Sequence, residues 1–516
     1  VEINGHDVAG KVLAPGWCDF EHEVSYQAYD VTAALDAGEN VIGVLLGDGA
    51  YSGRTGIGER EHYGSKPQLI AQLHLQLASG ARLVIASDEL WQWRPSWILA
   101  ADQIAGESID WRQFDPLWSR PQRDWNGYPV ELCDTSVRLH ASRQRNVSSL
   151  GSVTAELRSV DERRLLFQLP QVCVGRARVT CALPCGAILK LRYGSALDDQ
   201  GELAEATGED VHVVAGLEPA ERLVSRFATH AFRYVEVSGD LRPGLDITLA
   251  VETSGQPVTR TAAFHSDHAG LNDLFDRQCN QLAASLQSVP FAGLSNGYRQ
   301  GWLADNALRL KSWLMTHACE PELGVWLTGI VASQLEDGSF PAMVPTPPDV
   351  EATLLSDCRP VEADGVQHQS VCSDALVEGA WQQFRLRGDR RALEAAYPAI
   401  CRYLQGLAQR FEDHIRGEPP ADFYATLGYY RSVRTASRMA GVLGKLADLE
   451  DFEYQAAAIA AAFRRRFVTP DGRLVADELP AYVGVLNQNL LETTERTTAL
   501  AELTRLSADK TLVPEL

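Results

Sequence analysis

Long hydrophobic runs are missing from this chain: no apolar stretch approaches the roughly 18 residues that cross a bilayer. Val1-Glu2-Ile3-Asn4-Gly5 has neither the basic start nor the apolar core of an export signal. No membrane partner is expected. Basic residues are outnumbered, 47 Lys and Arg against 68 Asp and Glu, for a net charge of -21. Phosphate backbones are held by clustered Lys and Arg, so nucleic acid is not expected as a partner, and a neutral or weakly charged ligand fits better. Cysteine is sparse, ten residues in 516, which excludes a dense disulfide framework. Cys181 and Cys185 lie four apart with no His or second Cys pair in metal spacing, so reduced structural thiols are expected rather than zinc. A calcium loop of alternating Asp and Asn and a Gly-rich phosphate loop followed by Lys are both lacking, so no cofactor and no metal is expected. An initiating Met is absent too. The chain opens in what is patterned as mid-strand, so the natural N-terminus is expected upstream, and on what is visible a cytoplasmic location is favoured and a homodimer stays open.

What is present is enough for several cores: 516 residues, 45% of them hydrophobic. From residue 1 to about 260 the pattern is of short alternating runs broken by Gly, Pro, Asp and Asn, such as NVIGVLLGDG, ARLVIAS, ARVTCALPCGAILKLRYG and RYVEVSGD. Period-2 alternation without intervening helical periods predicts antiparallel β-sandwiches. Aromatics and prolines from Trp111 to Pro129 interrupt it. The prediction is one sandwich over 1–120, a second over 121–258 and helices over 259–516. The helices are expected near 267–287, 299–316, 320–336, 373–387, 389–411, 422–445, 449–467 and 489–505, joined by links short enough for antiparallel hairpins. Helical hairpins after β-sandwiches predict an (α/α)6-type barrel, one that looks incomplete at Leu516. The Pro-rich, acidic stretch Phe340 to Cys372 is too long for a plain connector and is expected to cover a functional face.

Chemistry points to FAGLSNGYRQGWLADNALRLKSW, Phe291 to Trp313. On a helix starting near Arg299, Leu303, Ala307, Leu310 and Leu314 share one side, and Trp302, Asp305, Asn306, Arg309 and Trp313 another. Aromatic rings beside planar polar groups suit a sugar, which offers a C–H face and hydroxyls. The same spacing is met by an ordinary amphipathic helix with tryptophan in its core and Asp305 as a solvated charge. Asp374, Glu378 and Trp381 share a later helix; Asp374 can cap it or touch a ligand. Trp381 fits the core better than a platform, and His368 fits solvent better than a site.

GYRQGWLADNA resembles the motif of the bacterial α-L-rhamnosidases, glycoside hydrolase family 78, where a loop of the type D-C-P-x-R-E-x-x-G-W-x-x-D carries the catalytic acid. LAPGWCDF (13–20), YDVTAAL (29–35) and LGDGAYSGRTG (46–56) resemble that family's N-terminal sandwich. ALDDQGEL (196–203) and HAFRYVEVSG (230–239) resemble its second, and CSDALVEGAWQQFRLRGDRRALEAAYP (372–398) its barrel. The resemblance implies an inverting glycosidase acting on a rhamnose-bearing carbohydrate, with a general acid on the 291–305 loop and a general base beyond Leu516. Trp302 and Asp305 match the motif, and Asp374 matches its later position. The acid position holds Tyr298, the Arg before it is Gly297, the opening Asp is Gly293, and Cys372 replaces a Trp. A tyrosine, with an ordinary pKa of about 10, is a poor proton donor to a glycosidic oxygen.

Three readings follow. In the first, the protein is a hydrolase whose proton comes from Asp305, Glu351 or Asp357. In the second, it is a degenerate sugar-binding member of the family. In the third, it is a lyase using Tyr298 beside Arg299. The residues set against the chemistry are Asp305 and Tyr298 as catalytic candidates and Trp302, Arg299, Asp374 and Trp313 as substrate contacts.

Overall fold

The computed structural model describes residues 1–508 except 11, 56–59, 122–125, 134–136, 144, 161–163, 207, 243–245, 295–298, 348–373, 418 and 420–421. It divides into two compact units, Val1–Gln300 with Pro347, and Gly301–Thr346 with the helices that follow.

The first unit is β-rich. Its centre is a ten-stranded sheet around Arg164–Cys181, an 18-residue strand paired with both His230–Gly239 and Ile247–Gly255. Along it Ala177, Val179 and Cys181 point inward at period 2 and pack on Leu189, Leu191, Val235 and Leu249. The sheet reaches further back in sequence than predicted. Ile98–Asp102 and Gly106–Asp110 hydrogen-bond into it through a parallel pairing with Glu209–Val213, so the boundary predicted at 120 falls after two of its strands. The remaining N-terminal strands make small sheets: Glu2–Ile3, His6–Asp7 and Ile42–Gly43 in one, Gln72–Gln76 with Arg82–Ala86 in another, and Glu23–Tyr26 in parallel with Arg138–Ala141. Pairing is thus not antiparallel throughout. A four-residue helical turn, α1 (Gly49–Ser52), and the helix α2 (Ala269–Ser285) complete the unit. α2 packs on Arg164–Cys181 and Ile247–Gly255, which is why the first unit runs to Gln300 rather than ending where helical periodicity begins.

A polar knot is buried in this β core. Asp210 Oδ1 accepts from the Glu107 backbone N–H at 2.9 Å and faces His230 Nε2 at 3.2 Å. Its Oδ2 accepts from the Tyr193 and Ser225 hydroxyls at 2.6 and 2.7 Å. Burial alone would raise the Asp210 carboxyl, but the charge of His230 and these bonds hold it well below the usual carboxylate range. Glu107 goes the other way, pushed up to about 7 by burial and the Asp210 charge. Burial lowers His212 to about 4.

The second unit is helical: α3 (Leu303–Thr316), α4 (Glu320–Ala332), α5 (Asp374–Arg387), α6 (Arg390–Arg410), α7 (Asp422–Leu443), α8 (Leu446–Phe467), α9 (Leu479–Gln488) and α10 (Thr493–Ala508). α3 packs on α5, α5 on α7 and α7 on α9, while α4 packs on α6. Alternate helices therefore form separate rows, the arrangement of a helical toroid. Gly379 lets α5 approach its neighbours: an added Cβ would lie 2.6 Å from Leu327 and 3.2 Å from Leu310. α9 was not expected; it is ten residues long, with Pro480 in its first turn and a left-handed Asn489 closing it. Among the described residues no helix is long and apolar enough to cross a membrane, and no disulfide joins the described cysteines.

Candidate functional site

α3 starts at Leu303 rather than near Arg299 because the residues before it are strand-like. Val344 N–H donates to the Gly301 carbonyl at 3.1 Å, Leu303 N–H donates to the Ala342 carbonyl at 2.8 Å, and Trp302 bridges Met343 between them. Gly301 has to be glycine, since a Cβ there would sit 2.0 Å from the Val344 carbonyl oxygen. Trp302 is thereby fixed at the N-cap of α3, half-buried, with its indole N–H buried and, among the described residues, lacking a hydrogen-bond partner. The PAMVP stretch, 341–345, at the start of the Pro-rich segment expected to cover a functional face, is what positions it.

Asp305 lies in the first turn of α3 with its side chain exposed, where the carboxylate complements the helix dipole. Arg309, one turn on, is lowered by burial and partly restored by the Asp305 charge. Trp313 requires a correction. The buried face of α3 is Leu303, Asn306, Leu310, Trp313 and Leu314, so the mixed face expected from the sequence is split. Trp313 is 0% exposed and has no ring surface for a sugar.

Arg299 also differs from its expected role. It is 7% exposed, and its guanidinium donates to the Thr229 carbonyl and, at 3.2 Å, to that of Gln103. Burial lowers it to about 10 even with the Asp102 charge nearby. Gln300 Nε2 donates to the Thr55 carbonyl at 2.6 Å. These two side chains tie the loop to the β unit, which leaves Arg299 a tether rather than a substrate contact. Tyr298 and Gly297 lie outside the described residues, as do Glu351, Asp357, His368 and Cys372.

Asp374 opens α5 and is 1% exposed. Its Oδ1 accepts from the Ser432 hydroxyl at 2.6 Å and the Tyr403 hydroxyl at 3.1 Å, with Arg416 Nη1 at 3.6 Å. Among the described residues Oδ2 has no hydrogen-bond partner, and Arg431 Nη2 lies 3.9 Å from it. Tyr403, Arg416 and Ser432 come from three different segments, and no local pattern could have assigned them to Asp374. The arrangement is a buried, oriented carboxylate with one oxygen left to accept. Among the described residues, only Asp19, Glu21 and His22 bring three potential metal ligands together, on the surface of the β unit.

Sequence models of three bacterial α-L-rhamnosidase domains match the chain in succession: the N-terminal domain over residues 1–149, the concanavalin-like domain over 158–251 and the 6 hairpin glycosidase domain over 259–512. An α-L-rhamnosidase of Streptomyces avermitilis is 28% identical over 98% of this chain and 49% of its own length. One of an Alteromonas species is 24% identical over 99% of this chain and 58% of its own. The crystal structure of the Streptomyces avermitilis α-L-rhamnosidase complexed with L-rhamnose superposes with a TM-score of 0.89 at 27% identity, covering 99% of this chain and 50% of that one. The chain spans about half the length of these relatives. Its β-rich first half, its helical rows and the Gly301-Trp302-x-x-Asp305 motif all agree with the three domain matches: the chain belongs to the bacterial α-L-rhamnosidase family.

Proposed function

We propose that the protein is an α-L-rhamnosidase-like glycoside hydrolase that releases rhamnose from rhamnose-bearing glycosides or polysaccharides with inversion at the anomeric carbon. The observation that carries this reading is the uninterrupted order of three family domains, two β-rich and one helical, supported by the likeness to a structure that holds L-rhamnose. Trp302 supplies a ring held by main-chain bonds, against which the C–H face of a sugar stacks. Asp305 stands on the same helix turn as a hydroxyl contact or proton donor. Asp374 orients polar neighbours through Oδ1 and offers Oδ2 as an acceptor. Inversion needs one carboxylic acid for the leaving oxygen and one carboxylate to activate water, about 6.5–9.5 Å apart.

One observation favours a second reading, a sugar-binding member of the family that has lost catalysis. Tyr298 stands at the acid position, and Asp305 is exposed, without the apolar enclosure a catalytic acid uses. Loss of general acid catalysis costs about 10²–10⁴-fold in rate. Proton NMR of the full-length protein with an aryl α-L-rhamnoside and a rhamnose-containing polysaccharide separates the readings. Initial release of β-L-rhamnose supports the inverting hydrolase. Broadened sugar signals without product support the binding module, and vinylic signals of an unsaturated sugar would move the chemistry to Tyr298 as a lyase residue.

A further inference from the structure

Arg299 and Gln300 are buried side chains whose donors end on main-chain carbonyls, Arg299 on those of Thr229 and Gln103 and Gln300 on that of Thr55. A carbonyl is a fixed acceptor only where the peptide that carries it is itself held. For Gln103 and Thr55 that hold comes from one side chain, Asp102, which is 3% exposed at the end of the strand Ile98–Asp102. Its Oδ1 accepts from the N–H groups of Ile104 and Ala105 at 2.9 and 2.8 Å, closing a turn around Gln103. Its Oδ2 accepts from the Arg54 N–H at 3.0 Å, one residue before Thr55, and from Arg60 Nη1 at 3.1 Å. The Gln103 amide joins the two turns by donating to the Arg54 carbonyl at 3.3 Å.

One carboxylate therefore stands behind two of the three carbonyls that hold Arg299 and Gln300. It is also the negative charge that acts on the buried Arg299 guanidinium. The Gln300 carbonyl in turn accepts from the Ala292 N–H at 3.1 Å, so a fixed Gln300 sets where the stretch 292–300 begins and ends. Position 298, where the family motif carries its acid, directly precedes Arg299 in the sequence.

We propose that Asp102 is a positioning residue for this loop: by holding the peptides of Gln103 and Thr55 it fixes Arg299 and Gln300, and with them the main chain that follows the acid position. Its catalytic consequence rests on the reading of the protein as a rhamnosidase-like hydrolase; the tether itself is independent of that reading.

The test compares Asp102→Asn with Asp110→Asn in the full-length protein. Asp110 is as buried and lies in the same strand pair, but its bonds go to Arg112 and Gln113. Asparagine keeps one acceptor and makes the other oxygen a donor, so at 102 either the turn around Gln103 or the Arg54 N–H loses its partner whichever way the amide is turned. Measured against the strand Arg164–Cys181, the amides of 291–300 are expected to exchange hydrogen about tenfold faster in Asp102→Asn and at the parent rate in Asp110→Asn. On an aryl α-L-rhamnoside, Asp102→Asn is expected to lower kcat about 10- to 100-fold with KM within about twofold, while Asp110→Asn keeps both. Should Asp102→Asn not fold, Arg60→Gln, at an exposed position, withdraws one donor from the same carboxylate and is expected to speed the same exchange about two- to threefold. Loop exchange at the parent rate, or raised equally by Asp110→Asn, overturns the proposal, and so does faster exchange with kcat unchanged. Faster exchange in a protein that cleaves no rhamnoside keeps Asp102 as the residue that positions the loop and removes the hydrolase reading instead.

Discussion

Two buried aspartates, Asp210 in the β unit and Asp374 in the helical unit, have similar surroundings and different completeness. Each is almost without solvent exposure, and each accepts from one tyrosine and one serine hydroxyl. Around Asp210 both oxygens are taken, by two hydroxyls on one side and a backbone N–H and an imidazole on the other. Around Asp374 one oxygen is taken and, among the described residues, the other accepts no bond. A buried carboxylate whose every lone pair is satisfied belongs to the fold. One left short by a bond among the described residues has a lone pair to offer. The same contrast separates the two tryptophans of α3: Trp313 is enclosed, and Trp302 presents part of its surface.

The tryptophans give the largest expected effect. Trp313→Ala should cost about 3–5 kcal/mol in stability by opening a core cavity. Trp302→Ala should cost far less and weaken rhamnoside binding instead, and equal losses in urea unfolding would collapse the distinction. The aspartates come next. Asp210→Asn turns one acceptor into a donor where every site is used, at a cost of about 2–4 kcal/mol. Asp374→Asn can point its amide nitrogen to the open side, so a stability loss of about 1 kcal/mol is expected, with a larger effect on ligand affinity. Urea unfolding and a binding titration on the same two variants decide it.

The smallest effect is a pH slope. Folded Glu107 titrates near 7 against an ordinary value of 4.5, so between those values the folded state holds a proton that the unfolded chain has lost. Stability therefore falls as pH rises through that window. His212, lowered to about 4 from 6.5, does the opposite: the unfolded chain binds the extra proton, and stability rises from pH 4 to 6.5. The two largely cancel. Glu107→Gln should uncover the His212 slope, so that Tm rises by a few degrees between pH 4.5 and 6.5. A flat profile in the variant would show that the knot titrates as a unit.

Much of this was legible in the sequence, because periodicity reports burial along one element. The change from period 2 to period 3.6 and the ordered family motifs gave the β-rich and helical parts. Contacts between elements were not legible. Nothing near residues 98–110 announces a parallel pairing with Glu209–Val213, and nothing in α7 marks Ser432 as a partner of Asp374. Trp313 was misplaced for a related reason: a helical wheel says which residues share a face, and not which face is covered. Arg299 was read as chemistry because it neighbours the acid position, yet its donors are spent on two carbonyls more than 60 residues away in the chain.

Trp302 owes its place to backbone atoms, the carbonyls and N–H groups of residues 301–303 and 342–344, and to a glycine with no room for a side chain. Such a scaffold is indifferent to the identity of the side chains at 293–298. A lineage can therefore exchange a glutamate for a tyrosine in that loop without moving the platform a few residues away. Shape and reactivity are then set by different atoms, the first by main chain and the second by side chains.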